Sequence, residues 1–279
     1  MSAAEVFRRV QPKEYFSQHI EKGLRLDGRE GGLESIRPIS ISSGSIASAD
    51  GSAIVRKGHT TVICGITLQI ASLDEETPTK GYIVPHVDLP SMCHPRIYKS
   101  KGPTAEEAMI LTKFIMDVIL NSEVVDPKDL CIVPGEIVWV LKIDLTCLNQ
   151  DGNLRDALVT ALILALKSLR FPKVVSYKAE DEDKTQINVF EKEHSSLRLK
   201  NIPVSVSIAV MEGERLLVDP TDEEETFATD SITVVLNAEE ELCYLSKNGG
   251  EPIFDELMNK VIDLARAQAL TVRKLINKN

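Results

Sequence analysis

The run at positions 154–169, Leu-Arg-Asp-Ala-Leu-Val-Thr-Ala-Leu-Ile-Leu-Ala-Leu-Lys-Ser-Leu, narrows the possible folds more than any other part of the chain. At helical spacing Leu154, Ala157, Leu158, Ala161, Leu162, Ala165 and Leu169 form one stripe, and Val159, Ile163 and Leu166 fill much of the remaining circumference. A helix that is apolar nearly all round cannot lie on a surface. It must be buried between two layers of other elements, and Phe171-Pro172 ends it.

The flanking sequence supplies candidate layers. Positions 36–43 and 53–70 are rich in Ile, Val and Thr and are broken by Asp50-Gly51 and Lys57-Gly58, which predicts consecutive antiparallel strands with tight turns. A further strand is expected at 82–89. Ile137, Trp139, Leu141, Ile143, Leu145 and Cys147 alternate along a long strand with one continuous apolar face. Between them, Ala108, Leu111, Ile115, Val118 and Ile119 recur at three- and four-residue steps, the pattern of an amphipathic helix over 104–121 capped by Thr104 and Glu107.

After a charged segment at 178–184, strand patterns recur at 186–190, 204–211, 215–218, 231–236 and 241–246, and a long C-terminal helix follows Asn248-Gly249-Gly250. Strands followed by helices in each half predict an α+β chain of two related lobes rather than a doubly wound parallel sheet. The expected divisions are an exposed N-terminal extension over 1–33, a first lobe over 34–180 and a second over 181–279.

The formal net charge of −10 works against strong unaided binding to nucleic acid, and aromatic residues, at 5%, leave few rings for stacking on bases. The five cysteines are widely spaced with no Cys-x-x-Cys pair, which predicts reduced, mostly buried thiols. No stretch reaches the length of a membrane span and the N-terminus has no apolar signal region, so an intracellular soluble protein is expected.

Chemistry is concentrated in two places. Asp151-Gly152-Asn153-Leu154-Arg155 puts Arg155 on the first turn of the apolar helix, where unpaired N–H groups and the positive end of the helix dipole favour an anion. Arg155 there either holds a phosphate or pairs with Asp151 or Asp156. The run Asp219-Pro220-Thr221-Asp222-Glu223-Glu224-Glu225 supplies carboxylates, either a general acid or solvated turn residues, and mutual repulsion would raise some of their pKa values.

No metal or cofactor is expected. His86, Cys93 and His94 do not close a four-ligand set, and neither a Gly-rich phosphate loop nor a Gly-x-Ser-x-Gly elbow occurs. The most basic loop, with Arg96, Lys99 and Lys101, is either an RNA-backbone contact or a solvated connector.

Several segments together resemble the ribonuclease PH superfamily, and within it the ring subunits of the eukaryotic RNA exosome. They are Leu26-Asp27-Gly28-Arg29, Ser48-Ala49-Asp50-Gly51-Ser52-Ala53, Gly58-His59-Thr60-Thr61-Val62-Ile63-Cys64-Gly65, the Asp151-Gly152-Asn153 helix start and Leu217-Val218-Asp219-Pro220-Thr221. The resemblance implies the ribonuclease PH fold, two lobes related to the ribosomal protein S5 domain 2-like fold. It also implies pairing with related subunits in a six-membered ring, cap subunits of the S1/KH type and RNA threaded through the assembled channel, in nucleus, nucleolus and cytoplasm.

Where that family is phosphorolytic, its helix start reads Asp-Gly-Gly-Thr-Arg, the threonine and arginine binding phosphate. Here Asn153 and Leu154 replace the second glycine and the threonine, so Arg155 matches by position without its hydroxyl companion. The helix over 104–121, which carries RNA-gripping arginines in active relatives, has only Lys113. Asp219 matches a family carboxylate, and Glu225 stands where active members place the aspartate that protonates the leaving group. The resemblance therefore implies a catalytically inactive scaffold with remnant positions Arg155, Asp219 and Glu225, supporting 3′-to-5′ RNA processing, rRNA maturation and mRNA turnover by a nuclease supplied elsewhere. The alternative is a phosphorolytic exoribonuclease subunit using Arg155 for phosphate and Asp219 as acid.

Overall fold

The computed structural model describes residues 3–72, 80–95, 103–178, 185–250 and 252–278. In chain order its elements are helices α1 (Ala3–Val10) and α2 (Pro12–Glu21), strands β1 (Ile39–Ser43), β2 (Gly51–Lys57), β3 (Thr60–Ser72) and β4 (Tyr82–Asp88), and helix α3 (Pro103–Asn121). Then come β5 (Cys131–Val133), β6 (Ile137–Asn149), helix α4 (Leu154–Ser168), β7 (Arg170–Lys178) and β8 (Thr185–Ser196). The chain closes with β9 (Val204–Met211), β10 (Arg215–Val218), helix α5 (Asp222–Phe227), β11 (Asp230–Leu236), β12 (Leu242–Lys247) and helix α6 (Asp255–Lys278).

The strands form a sheet of order β1-β2-β3-β6-β4 with β5 on β6, a second of order β10-β9-β11-β12, and a β7–β8 ribbon. All pairings are antiparallel except β4 with β6. This is the expected α+β arrangement. The apolar helix α4 lies where its sequence requires, against β2 and β3 on one side and β9 on the other. Every residue from Ala157 to Leu166 is buried. Inward-facing Val62, Cys64, Ile66, Leu141, Ile143 and Leu145 of β3 and β6 join Val206, Ile208, Ile232 and Val234 of the second sheet in one continuous core around it.

The N-terminal segment differs from the exposed lead-in expected of it. Phe16 and Ile20 of α2 pack with Ala209, Met211 and Leu217 in a second, smaller cluster. Phe16 stacks on Phe227 with ring centroids 5.1 Å apart. The two aromatic and aliphatic side chains on one face of a short helix were the available signal, and the exposed end of β9–β10 is what they cover. The cysteines follow expectation: all five are free thiols, with Cys64, Cys93 and Cys147 buried. Among the described residues no helix is long and apolar enough to cross a membrane.

Candidate functional site: the Asp219 junction

The start of α4 and the turn after β10 meet face to face. Gly152 has φ +72°, and a Cβ there would lie 2.4 Å from the carbonyl carbon of Thr221, so the two backbones touch at a spacing only glycine permits. Asp219, also left-handed at φ 52°, turns its carboxylate into this junction. It is fully buried, not the solvated turn carboxylate that its place in an acidic run suggested.

Burial of that charge is offset by three cations, Arg29 and Arg37 from the segment before β1 and Lys57 from β2. Arg37 bonds Asp219 Oδ1 through Nη2 at 2.8 Å and Oδ2 through Nε at 3.1 Å, and its backbone N–H donates to Oδ2 at 2.7 Å. Lys57 Nζ, at the inner end of β2, lies 3.2 Å from Oδ1, and Arg29 Nη1 lies 3.4 Å from Oδ2. Asn153 Nδ2 adds a hydrogen bond of 2.7 Å to Oδ1. Burial alone would raise the Asp219 carboxyl, but the Lys57 charge and the Arg37 hydrogen bonds and charge override it and hold the pKa far below the usual carboxylate range.

The network then spreads. Arg37 also donates to the carbonyls of Asp151 at 2.5 Å, Gly152 at 3.3 Å and Pro220 at 3.3 Å, clamping the helix start to the turn. Lys57 Nζ bonds the buried Asp156 at 2.9 Å, and Ser205 and Ser207 of β9 donate to Asp156 Oδ1 at 2.9 and 3.0 Å. Arg25 pairs bidentately with buried Glu224 at 2.9 and 2.6 Å and donates to the carbonyls of Val218 and Asp219 at 2.9 and 3.0 Å.

The acids of α5 are divided among separate partners. Asp222 lies 3.2 Å from His94 Nε2, Glu223 2.5 Å from Arg8 and Glu224 against Arg25, while Thr221 and Glu224 close a capping box. Glu225 faces the other way: its Oε1 accepts the backbone N–H of Asn153 at 2.6 Å. One N–H at the start of α4, that of the N-cap residue Asn153, is thus occupied by the protein's own carboxylate, within the anion seat expected from the sequence.

Arg155 points into a cleft of about 430 Å³ between α3, α4 and β11. Its guanidinium lies 5.2 Å over the Phe114 ring and donates to Thr233 Oγ1 at 3.3 Å and Asn248 Oδ1 at 3.4 Å. The pairing with Asp151 or Asp156 expected of a bland arginine does not form, because Asp156 turns inward to Lys57 and Asp151 lies beside Arg37. Arg155 is the only cation lining this cleft among the described residues, and Glu107 and Glu225 line it too. Arg96, Lys99 and Lys101 lie outside the described residues. No group of three or more metal-ligating side chains occurs among the described residues.

Sequence reasoning found Arg155, Asp219 and Glu225 but missed Arg25, Arg29, Arg37, Lys57 and Asn153. Lys57 carried a signal, for it continues the inward row Ala53, Val55 on β2, where an ammonium demands a buried carboxylate. Arg25 and Arg37 carried none, since their partners lie about two hundred residues away.

The buried cationic clamp around Asp219 joins the start of α4 to the turn after β10, and so one sheet to the other. Residues 35–172 match domain 1 and residues 201–268 match domain 2 of the 3′ exoribonuclease family, and the chain belongs to it. It is 32% identical over 263 residues to the exosome complex component rrp43 of Schizosaccharomyces pombe, covering 94% of both chains. It is 34% identical to the exosome complex component Rrp42 of Methanopyrus kandleri, covering 92% of each. Among solved structures, a chain of the Archaeoglobus fulgidus exosome with RNA bound to the active site superposes with a TM-score of 0.80 at 28% identity, over 94% of this chain and 96% of that one.

Proposed function

We propose that this protein is a non-catalytic ring subunit of an RNA exosome, a relative of rrp43 that pairs with related subunits and helps thread RNA toward a nuclease supplied elsewhere. The observation that carries the reading is the self-filled helix start. Glu225 occupies one N–H of the helix start, that of Asn153, with a negative charge that disfavours a second anion there, and Leu154 presents methyl groups where a hydroxyl donor is needed.

Two further features support it. A general acid must be protonated at the working pH, and Asp219 is held ionised by the surrounding cations. A phosphorolytic cleft must hold phosphate and an RNA phosphate together, whereas this one sets Arg155 against Glu107 and Glu225. Asp219 therefore serves as a clamp that joins the two sheets. The expected setting remains nucleus, nucleolus and cytoplasm, with S1/KH-type caps as further partners.

Phosphate-dependent release of nucleoside diphosphates from single-stranded RNA tests the assignment. The chain, alone and with its ring neighbours, is expected to add no activity that Arg155→Ala removes. Activity abolished by that substitution would establish the phosphorolytic alternative.

A further inference from the structure

Away from the Asp219 junction, two clefts of about 640 and 620 Å³ adjoin at Ser196, at the base of the β7–β8 ribbon, and are taken together as one trough. Lys173, His194 and Arg198 line one half, and Lys167 and Arg170 the other. The strand register explains the grouping: Arg170 lies opposite Ser196 and Pro172 opposite His194, so residues distant in sequence share one edge. Among the described residues two carboxylates line the same trough, Asp129 and Asp50, and Asp50 Oδ2 is already engaged by the backbone N–H of Leu68 at 2.8 Å.

In a chain of net charge −10, four permanent cations and a histidine against two carboxylates among the described residues make this a local reversal of sign. Arg170 and Arg198 are exposed, and neither has a side-chain partner among the described residues. Both lysines are partly committed, Lys167 donating to the carbonyl of Ile276 at 2.7 Å and Lys173 already engaged by the protein, so the two arginines are the main free charges. The floor beside Lys173 is aromatic. Trp139 and Phe171 meet edge to face with centroids 5.8 Å apart, and the indole N–H finds no acceptor among the described residues. Unpaired arginines in an elongated groove with a free ring N–H suit a chain of phosphates with acceptor-bearing groups between them.

We propose that this trough is a binding track for the phosphodiester backbone of single-stranded RNA, separate from the vestigial Arg155 cleft. It extends the reading of the chain as an RNA-handling ring subunit and rests on it. The arginines and Lys173 contact phosphates, and Trp139 donates to an oxygen of the nucleotide above it. Contacts of this kind carry little sequence preference.

Fluorescence anisotropy of a labelled oligouridylate with the full-length chain, across a potassium chloride series, tests the proposal. Combined Arg170→Ala, Lys173→Ala and Arg198→Ala substitution is expected to weaken binding about tenfold or more at low salt and to lower the slope of log affinity against log salt by about 2, at roughly 0.7 per phosphate contact. Arg198→Ala alone, at an exposed position beyond β8, is expected to lower it by about 0.7 and guards against misfolding of the triple variant. Substituting Arg215 and Arg266, which lie outside the trough, is expected to change neither quantity. Unchanged affinity and slope in the trough variants would overturn the proposal, as would equal competition by polyglutamate. Co-assembly with ring relatives is scored separately. Variants that assemble yet bind RNA as the parent does refute the track alone, whereas a parent chain that does not assemble refutes the reading beneath it.

Discussion

Replacing Asp219 by asparagine keeps the shape of the junction and removes its charge. The carboxylate is fully buried and faces Arg37 at 2.8 Å, Lys57 at 3.2 Å and Arg29 at 3.4 Å. Lys57 retains Asp156 and Arg37 retains three backbone carbonyls, so the cations are not wholly stranded. Breaking a buried ion pair from one side costs about 3–5 kcal/mol, and the retained contacts place Asp219→Asn toward the lower figure. Urea denaturation followed by circular dichroism reads the loss directly.

The pH dependence gives an independent check on the same residue. The folded pKa of Asp219 is depressed, so its contribution to stability is fully present above the unfolded carboxylate value of about 4 and is lost progressively as pH falls below it. The parent protein is expected to lose stability more steeply than Asp219→Asn between about pH 5 and pH 2. A variant within about 0.5 kcal/mol of the parent, with the same acid slope, would show that Asp219 is not the keystone of the junction.

Other substitutions probe neighbouring parts of the network. Gly152→Ala is expected to lose at least about 1–2 kcal/mol from the left-handed backbone alone, with the 2.4 Å approach to Thr221 adding to it, measured as a lower melting temperature. Arg25→Ala strands the buried Glu224 and is expected to cost about 3–5 kcal/mol, whereas Arg8→Ala, which breaks the exposed pair with Glu223, is expected to cost less than about 1 kcal/mol. Glu225→Ala frees the Asn153 N–H, so inorganic phosphate is expected to bind the variant more tightly than the parent by isothermal calorimetry. Burial pushes the Cys64 thiol well above its ordinary pKa, so it is expected to resist iodoacetamide at pH 8 until the protein is unfolded.

The fold was legible wherever periodicity set the answer. Helix α4, the alternating face of β6 and the paired strands β2 and β3 follow from burial demands that each segment states for itself. The site was legible only as a set of residue types. Asp219 and Glu225 stood out as carboxylates, yet their roles depend on Arg37, Lys57 and the Asn153 N–H, which the fold brings in from other elements. Proximity in sequence misled for Arg155, because the acids beside it turn inward while the arginine turns out over Phe114. In the N-terminal segment the Phe16 and Ile20 face of α2 signals burial, but which surface it covers, that of β9 and β10, is set by long-range packing.

Native mass spectrometry of the chain co-expressed with related ring subunits tests its central role most directly. A heteromeric six-membered assembly containing this chain, and losing no phosphorolytic activity on Arg155→Ala, is the predicted result. A homohexamer of this chain, or an assembly whose phosphate-dependent activity vanishes with Arg155, would contradict it.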